Sequence, residues 1–355
     1  MSTAFETFTM PLPDDFHAHL RQGEGLKVWV RGHAGQFGRV LCMPNTLPPV
    51  SDAARLDAYR QELARAIDAL PQGERFEPLM TFKILPGMKA AEVEAMARAG
   101  AIAGKYYPAG ATTNAADGPR SFAEVEEVLT TMEELGLVLS IHGEDPEAPV
   151  LERERAFLPK VARLIERHAK LRVVLEHLSD AESVRFVERG PSNLAATITA
   201  HHLLYTIDDV IGDAMNPHLY CKPVIKFARD REALRAAVMS GSKRFFFGSD
   251  SAPHLRAKKE CGAAASGVFS SPSALPALIA LFDSVEGKAG REKLVPFMAE
   301  RGADFYRMPR STRVLTMERA EWLVPAEIGG AVPMCAGQPL AWRVARSTAR
   351  SWDIL

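Results

Sequence analysis

The chain has 355 residues, of which 47% are hydrophobic, enough to bury one large core or two modest ones. Its 43 lysine and arginine residues nearly balance 44 aspartate and glutamate residues, and the formal net charge of −1 creates no basic field for nucleic acid or an anionic membrane. The longest apolar runs are too short to span a bilayer, and the amino-terminal residues lack the pattern of a secretory signal. We therefore predict a cytoplasmic globular protein with no nucleic-acid or membrane partner.

Short apolar runs alternate with longer amphipathic segments along the chain. Eight of these runs are typical of buried strands, namely Leu12–Leu20, Arg39–Asn45, Glu77–Ile84, Ala101–Tyr107, Leu137–His142, Arg172–His177, Leu194–His201 and Arg244–Asp250. Eight strands that alternate with helices favour an α/β fold of the (β/α)8 TIM-barrel type over an open doubly wound sheet. The alternation ends near Arg310. We predict a single domain over residues 1–355, with the barrel at about 11–310 and an extension at about 311–355 that wraps it.

Two of the predicted helices begin with a sequence typical of a capping box, in which serine is followed three residues later by glutamate. The two boxes pair Ser121 with Glu124 and Ser179 with Glu182, and the helices are expected to end at Gly136 and Gly190.

The residues with metal-binding and proton-transfer chemistry fall at the ends of predicted strands. They are His17, His19, Lys105, His142, His177 and Asp250. Strand carboxyl ends carry the active site of a barrel, so this placement favours catalysis over packing. A histidine pair at i and i+2 shares one strand face and suits zinc, although such a pair alone equally fits hydrogen-bonded histidines. Four histidines with an acid fit two metals better than one.

Lys105 and Asp250 each leave two interpretations open. An ammonium at Lys105 would be repelled by divalent cations, whereas a carbamate formed from its amine and carbon dioxide could bridge two metals. Alternatively, the lysine reaches solvent along Tyr106 and Tyr107. The carboxylate of Asp250 could bind a metal and exchange a proton with metal-bound hydroxide, or it could cap the next segment.

A third group of residues predicts a pocket for a small anion. Arg21 lies two residues after His19, so it shares the inward face, and a guanidinium there is typical of carboxylate or phosphate binding. Asn45 adds a neutral donor and acceptor, and His254 lies one loop beyond Asp250. Each of these residues could also be structural, and Asn45 could be a turn residue.

Six segments together resemble the monofunctional bacterial dihydroorotases of the amidohydrolase superfamily. They are Phe16-His17-Ala18-His19-Leu20-Arg21, Met43-Pro44-Asn45-Thr46, Gly104-Lys105-Tyr106-Tyr107-Pro108, Ile141-His142-Gly143-Glu144, Glu176-His177 and Gly248-Ser249-Asp250-Ser251-Ala252-Pro253-His254. Their order and spacing hold from about Pro11 to Leu281. The first and last segments are specific in combination, whereas the histidine pair alone indicates only the superfamily.

The resemblance implies a binuclear zinc centre. His17 and His19 would bind the more buried zinc ion and His142 and His177 the other, with Lys105, carboxylated by carbon dioxide, as the bridge. Asp250 would be the remaining ligand and the proton shuttle, and a hydroxide between the metals would be the nucleophile. The implied activity is the reversible cyclisation of N-carbamoyl-L-aspartate to L-dihydroorotate and water, the third step of pyrimidine biosynthesis.

The resemblance also implies the remaining substrate contacts. Arg21, Asn45 and His254 would hold the substrate carboxylate, and Thr112 and Thr113 would lie on a mobile loop that closes over it. Lys222, through its backbone, and Ser266 would touch the pyrimidine ring. A homodimer is implied by the family alone.

Two rival functions remain at this point. Another cyclic amidase, such as a hydantoinase or allantoinase, would share the metal ligands but would leave Arg21 without a carboxylate to bind. A metal-free barrel retained as a binding scaffold would be expected to have lost ligands, whereas all six positions are present.

Overall fold

The computed structural model describes residues 6–345. Its strands are β1 Thr7–Pro11, β2 Asp14–Ala18, β3 Arg39–Cys42, β4 Glu77–Lys83, β5 Ala101–Tyr106, β6 Val138–Ile141, β7 Arg172–Leu175, β8 Leu194–Ile198, β9 Phe245–Phe247, β10 Val314–Glu318, β11 Trp322–Leu323, β12 Pro339–Leu340 and β13 Arg343–Val344. Its helices are α1 Leu26–Trp29, α2 Ala53–Asp68, α3 Ala90–Arg98, α4 Glu126–Leu135, α5 Arg153–Arg167, α6 Ala181–Arg189, α7 Ala200–Leu204, α8 Ile207–Ile211, α9 Ala228–Met239, α10 Arg256–Lys259, α11 Ala274–Glu286, α12 Lys288–Ala299 and α13 Arg301–Phe305.

Strands β2 to β9 form one parallel sheet of eight strands in chain order. Backbone hydrogen bonds join its two edges, because the Asp250 N–H donates to the His17 carbonyl over 2.8 Å and the His19 N–H donates to the Ser251 carbonyl over 2.9 Å. The sheet is thereby closed, and the predicted (β/α)8 barrel is confirmed.

One apolar side chain from each strand fills the lower half of the barrel. These side chains are Phe16, Leu41, Leu79, Ala103, Val138, Val174, Ala195 and Phe246. Tyr306, just after α13, stacks on Phe16 with ring centroids 4.9 Å apart. Side chains therefore fill the interior of the barrel in its amino-terminal half, and the polar residues inside the barrel lie towards its carboxyl-terminal end.

The strands lie where the sequence predicts them, but most are shorter at the carboxyl end. His19, His142, His177 and Asp250 follow the last paired residue of their strands. At His177 the backbone N–H donates to Thr197 Oγ1 over 2.7 Å instead of continuing the ladder. The backbone therefore leaves the ladder at His177, whereas His19, His142 and Asp250 keep a backbone hydrogen bond to the neighbouring strand.

Both predicted capping boxes are wrong, although the helix ends at Gly136 and Gly190 are confirmed. Glu124 lies in a 3₁₀ turn and accepts the N–H of Arg120 over 3.0 Å, so α4 begins only at Glu126. Asp180, one residue after the predicted serine, caps α6 by accepting the Glu182 N–H over 2.7 Å. The Ser179 hydroxyl is engaged elsewhere, because it accepts from Lys226 Nζ and donates to Glu154 over 2.5 Å.

The segment after Arg310 pairs with the amino-terminal segment. Strand β10 lies between β1 and β13 in an antiparallel three-stranded sheet, while β11 pairs with β12. The division into a barrel at 11–310 and an extension at 311–355 stays a prediction, and residues 346–355 of that extension lie outside the described residues. Within 6–345, no helix is long and apolar enough to cross a membrane.

Candidate active site

Three of the predicted metal ligands meet at the carboxyl end of the barrel where its edges join. His17 Nε2 and His19 Nε2 lie 3.4 Å apart, and Asp250 Oδ1 lies 3.4 Å from the first and 3.2 Å from the second. All three residues are buried. Strand β2 therefore presents both imidazoles on one face, as the i and i+2 spacing predicts.

The second histidine pair lies beside the first. His142 Nδ1 is 3.2 Å from His177 Nε2, and the rings of His177 and His17 have centroids 5.2 Å apart. His177 has a φ of 44° and Asp250 one of 43°, a region that residues with a side chain seldom occupy. Such backbone strain is concentrated at functional sites.

In three of these histidines, the ring nitrogen that points away from the other ligands faces a hydrogen-bond acceptor, which fixes the orientation of the ring. Glu176 Oε2 lies 2.8 Å from His17 Nδ1, Asn45 Oδ1 lies 2.7 Å from His19 Nδ1, and Glu144 Oε2 lies 2.8 Å from His142 Nε2. Each acceptor requires a proton on the nitrogen that it faces, so the opposite nitrogen carries a lone pair.

Sequence reasoning missed the orienting roles of Glu176 and Glu144. Both acids stand inside the quoted motifs, Glu176 directly before His177 and Glu144 two residues after His142. An acid next to a strand-end histidine is the signal that could have identified them, because metal-binding histidines commonly donate their second nitrogen to a carboxylate.

This donor set fits a bound cation. The Nε2 lone pairs of His17 and His19 and the carboxylate of Asp250 face one another at 3.2–3.4 Å, and none of these atoms can carry a proton in this tautomeric arrangement. Three acceptors at such distances repel one another unless a positive charge lies between them. Nitrogen and oxygen donors of this kind suit zinc.

Lys105 lies at the closed end of the site, on β5. Its side chain is 0% exposed, and its Nζ has no hydrogen-bond partner within the described range. The alternative of a lysine that reaches solvent is therefore wrong. Burial lowers the pKa of Lys105 to about 8, although Glu176 and Asp250 oppose the shift. A substantial neutral fraction near neutral pH is what carbamate formation needs, because only the free amine attacks carbon dioxide.

Asp250 is ionised in this environment. Burial alone would raise the pKa of its carboxyl, but the neighbouring imidazoles of His19, His17 and His177 hold it well below the usual range. An ionised carboxylate in this position can bind a cation and can accept a proton.

The predicted substrate residues line one pocket with the histidines. The pocket is narrow, with a volume of about 20 Å³, and is lined by His17, His19, Arg21, Asn45, Tyr107, Thr112, Thr113, His142, His177, Lys222, Asp250, Ala252, Ser266 and Gly267. His254 borders this pocket, since its Nε2 lies 2.9 Å from Arg21 Nη2 and 3.1 Å from the Ser266 carbonyl. The structure thus brings Arg21, Asn45 and His254 to one wall.

The contact between Arg21 and His254 fixes a tautomer. A guanidinium can only donate, so His254 Nε2 accepts this hydrogen bond, and its short distance to the Ser266 carbonyl is a packing contact. Burial, together with the charge of Arg21, lowers the pKa of His254 to about 3. His254 is therefore neutral at physiological pH and holds Arg21 in place.

The segment that carries Thr112 and Thr113 lies over the pocket. Thr113 Oγ1 is 3.0 Å from Ser266 Oγ, and its carbonyl accepts from Asn45 Nδ2 over 3.4 Å. Asn114 Nδ2 donates to the Asn45 carbonyl over 3.0 Å, and Lys83 Nζ donates to the Asn114 carbonyl over 2.6 Å. This segment is in a closed position, tied to both walls of the site.

His201 and His202 lie below the site with Cys221, but this cluster does not form a second metal centre. Both ring nitrogens of His202 are engaged, with Thr199 Oγ1 at 2.9 Å and the Pro223 carbonyl at 3.1 Å. Neither nitrogen of His201 has a partner among the described residues. His202 instead supports the segment that carries Lys222.

Comparison with curated proteins finds dihydroorotases that align with nearly the whole chain. The dihydroorotase of Laribacter hongkongensis is 41% identical over 347 residues, which cover 96% of this chain and 99% of that protein. The dihydroorotase of Pseudomonas aeruginosa is 40% identical and covers 96% of this chain and 98% of its own length. No protein-family model matches the chain.

Two solved dihydroorotase structures also superpose on nearly the whole chain. The dihydroorotase of Campylobacter jejuni superposes with a TM-score of 0.87 at 33% identity, covering 98% of this chain and 99% of that one. The Saccharomyces cerevisiae dihydroorotase, solved in complex with 5-fluoroorotic acid, gives a TM-score of 0.88 at 30% identity, covering 96% and 98%. An L-hydantoinase from Arthrobacter aurescens reaches 0.81 at 18% identity, covering 97% and 84%, and shares the fold alone.

Proposed function

The chain belongs to the dihydroorotase family, and from this premise we propose that it catalyses the reversible cyclisation of N-carbamoyl-L-aspartate to L-dihydroorotate and water in pyrimidine biosynthesis. The observation that best supports the proposal is the meeting of four imidazoles, a buried lysine amine and a carboxylate beside an arginine that has no carboxylate partner.

The proposed centre holds two zinc ions. His17 and His19 would hold one and His142 and His177 the other, with carboxylated Lys105 as the bridge and Asp250 as the remaining ligand. When bound, the pair of zinc ions supplies a hydroxide at neutral pH and polarises the ring carbonyl. Glu176, Asn45 and Glu144 support this assignment because they direct the free lone pairs of three histidines inward.

Asp250 moves the proton. In ring opening, water adds to the carbonyl carbon and the bond from that carbon to the ring nitrogen breaks. Asp250 accepts a proton from the attacking water and returns it to the departing nitrogen. In cyclisation the same carboxyl group delivers a proton as water leaves. Its 3.2 Å distance from His19 Nε2 supports a place at the reacting centre.

The substrate carboxylate is bound by Arg21, Asn45 and His254. Within residues 6–345, Arg21 has no carboxylate within 4 Å, and its contacts are His254 and the Pro253 carbonyl. A partly buried guanidinium is stabilised by an anionic partner, and a planar carboxylate can accept two parallel hydrogen bonds from it. This feature favours a dihydroorotase over a hydantoinase or allantoinase, whose rings carry no such group. Thr112, Thr113, Lys222 and Ser266 complete the enclosure of the ring.

A cytoplasmic homodimer completes the proposal. All four cysteines are free thiols, Cys42, Cys221 and Cys335 being buried and Cys261 exposed, which suits a reducing compartment. Light scattering on the purified protein should give twice the chain mass, and a monomer at micromolar concentration would contradict the dimer.

The variant Asp250→Asn tests the mechanism. It keeps the shape of the side chain but cannot exchange the proton, so turnover should fall by at least about 100-fold in both directions. Thermal unfolding should confirm that the fold is kept. Turnover within tenfold of the parent protein would remove Asp250 as the proton shuttle.

The metal content tests the centre itself. Purified protein supplied with zinc should contain two zinc ions per chain, and Lys105→Met should hold fewer because the bridge is lost. Full zinc occupancy in Lys105→Met would contradict the bridging carbamate.

A further inference from the structure

A second cavity, of about 490 Å³, opens at the amino-terminal end of the barrel. Arg172 is the first residue of β7, Leu194 is the first of β8, and Arg244 directly precedes β9. Five residues of extended chain separate Arg172 from His177 of the active site, on the order of 16 Å. The cavity shares no lining residue with the active-site pocket.

Cationic side chains dominate this cavity, although the whole chain has a formal net charge of −1. Six of its lining residues are cationic, namely Lys170, Arg172, Lys243, Arg244, Arg301 and Arg307. The single acidic residue of the lining is Asp304, and both of its oxygens accept from Arg310, over 2.9 Å and 2.7 Å. Arg310 lies outside the lining and also donates to Glu300 over 2.7 Å, so these two acids share one cation and the cationic groups of the cavity still outnumber them.

Two guanidiniums are held in the cavity without a counter-charge. Arg301 is 6% exposed and donates only long hydrogen bonds, of 3.3 Å to the Val238 carbonyl and 3.4 Å to the Phe245 carbonyl. Arg172 is half-buried and donates over 2.7 Å to the Phe305 carbonyl. Neither has a carboxylate within 4 Å in the part of the chain that the structure describes. Burial lowers the pKa of both groups, and Arg307 lowers that of Arg172 further.

This arrangement is costly unless an anion is present. Like charges that cluster in a concave, partly dry site repel one another, and a buried charge without a partner loses its hydration. Lys170, Lys243 and Arg307 are exposed at the cavity and make no ion pair within 6–345. They therefore remain available to a ligand.

We propose that this cavity binds an organic polyphosphate of nucleotide size. Guanidinium and ammonium groups together are the usual protein partners of phosphate oxygens, and six of them match several phosphates better than one. The volume lies in the range of small-molecule sites. The half-buried ring of Phe305 offers an apolar wall for a base. The site is independent of the proposed catalytic reaction.

Binding of ATP to the zinc-loaded protein tests the proposal, with magnesium in excess so that ATP does not remove zinc. Equilibrium dialysis should show one ATP per chain. Arg21→Met removes the guanidinium proposed to bind the substrate carboxylate, and this variant should still bind ATP. The double variant Lys243→Glu with Arg307→Glu should bind ATP at least tenfold more weakly. The double variant Arg65→Glu with Arg98→Glu changes the net charge equally on exposed parts of α2 and α3 and should stay within twofold of the parent protein.

Four results would overturn the proposal. They are the absence of ATP binding, loss of binding in Arg21→Met, equal weakening in the two charge-reversal variants, and binding of citrate as tight as that of ATP. None of them depends on the catalytic activity, so they do not bear on the proposed dihydroorotase reaction.

Discussion

The orientation of the active-site histidines is fixed by the hydrogen bonds of the ring nitrogens that point away from the site. Glu176 accepts from His17, and it also accepts hydrogen bonds from Ser140 and from Thr197, the latter over 2.6 Å. The position of this carboxylate is therefore fixed by three donors. Because the negative charge of Glu176 would also strengthen His17 as a ligand, a small chemical change at Glu176 should alter metal affinity at the proposed centre.

Glu176→Gln should lower zinc affinity by about 10- to 100-fold. The amide keeps one acceptor but loses the charge, and its NH2 group faces the donors Ser140 and Thr197. A chelator competition titration measures the affinity. Glu154→Gln is the matched control, because Glu154 is a buried carboxylate that binds Ser179 and contacts no metal ligand. Unchanged zinc affinity in Glu176→Gln would show that Glu176 has no orienting role.

His201 predicts a pH dependence of stability. Burial lowers its pKa from 6.5 to about 4, with Asp250 opposing the shift. Below pH 6.5 the unfolded state therefore binds a proton that the folded state does not, and stability falls as the pH falls. Between pH 7.5 and 4.5 the loss should be roughly 2 to 3 kcal/mol.

The comparison of wild type with His201→Leu isolates this contribution. Urea unfolding is measured at both pH values on chelator-treated proteins, so that acid release of zinc affects neither. The stability of the wild type relative to the variant should decrease at low pH by the stated amount. An equal pH dependence in the two proteins would contradict the lowered pKa.

At the scale of elements, the strands and the loops after them differ in how far sequence predicts them. The buried strands are continuous apolar runs, so their positions follow from composition alone. The role of Asn45 does not follow from composition, because its partner His19 belongs to a different strand end. The Thr113 contact with Ser266 joins residues 153 positions apart, and no local pattern encodes it. The capping box predicted at Ser179 is wrong for a related reason, because the Ser179 hydroxyl is hydrogen-bonded to Glu154 of a different helix.

Thr113→Val tests the closed segment. The change keeps the side-chain shape and removes the hydroxyl that contacts Ser266, so closure should lose about 1 kcal/mol, or roughly fivefold in kcat/KM. Ser266→Ala removes the other half of the same hydrogen bond. The double variant should be no worse than either single variant. Fully additive losses would mean that the two hydroxyls act separately.

At the scale of the whole molecule, the packed lower half of the barrel contributes stability, and the polar upper half carries the proposed active site. Eight inward apolar residues, one from each strand, support the strand ends from below. The number of strands and their alternation with helices were sufficient to predict the barrel, whereas the six metal-ligand positions stay a prediction. The cationic cavity at the opposite end was not foreseen, because its residues come from seven separate stretches of the chain, none of which is a recognisable motif.

The most direct test of the central claim is the consumption of L-dihydroorotate by the purified, zinc-supplied protein, followed as loss of ultraviolet absorbance at mildly alkaline pH. The absorbance should fall, the loss should stop when a chelator is added, and hydantoin and allantoin should be turned over far more slowly. Ring opening releases a proton, so alkali should favour it and acid should favour cyclisation. No loss of dihydroorotate with two zinc ions bound, or faster turnover of hydantoin or allantoin, would contradict the account.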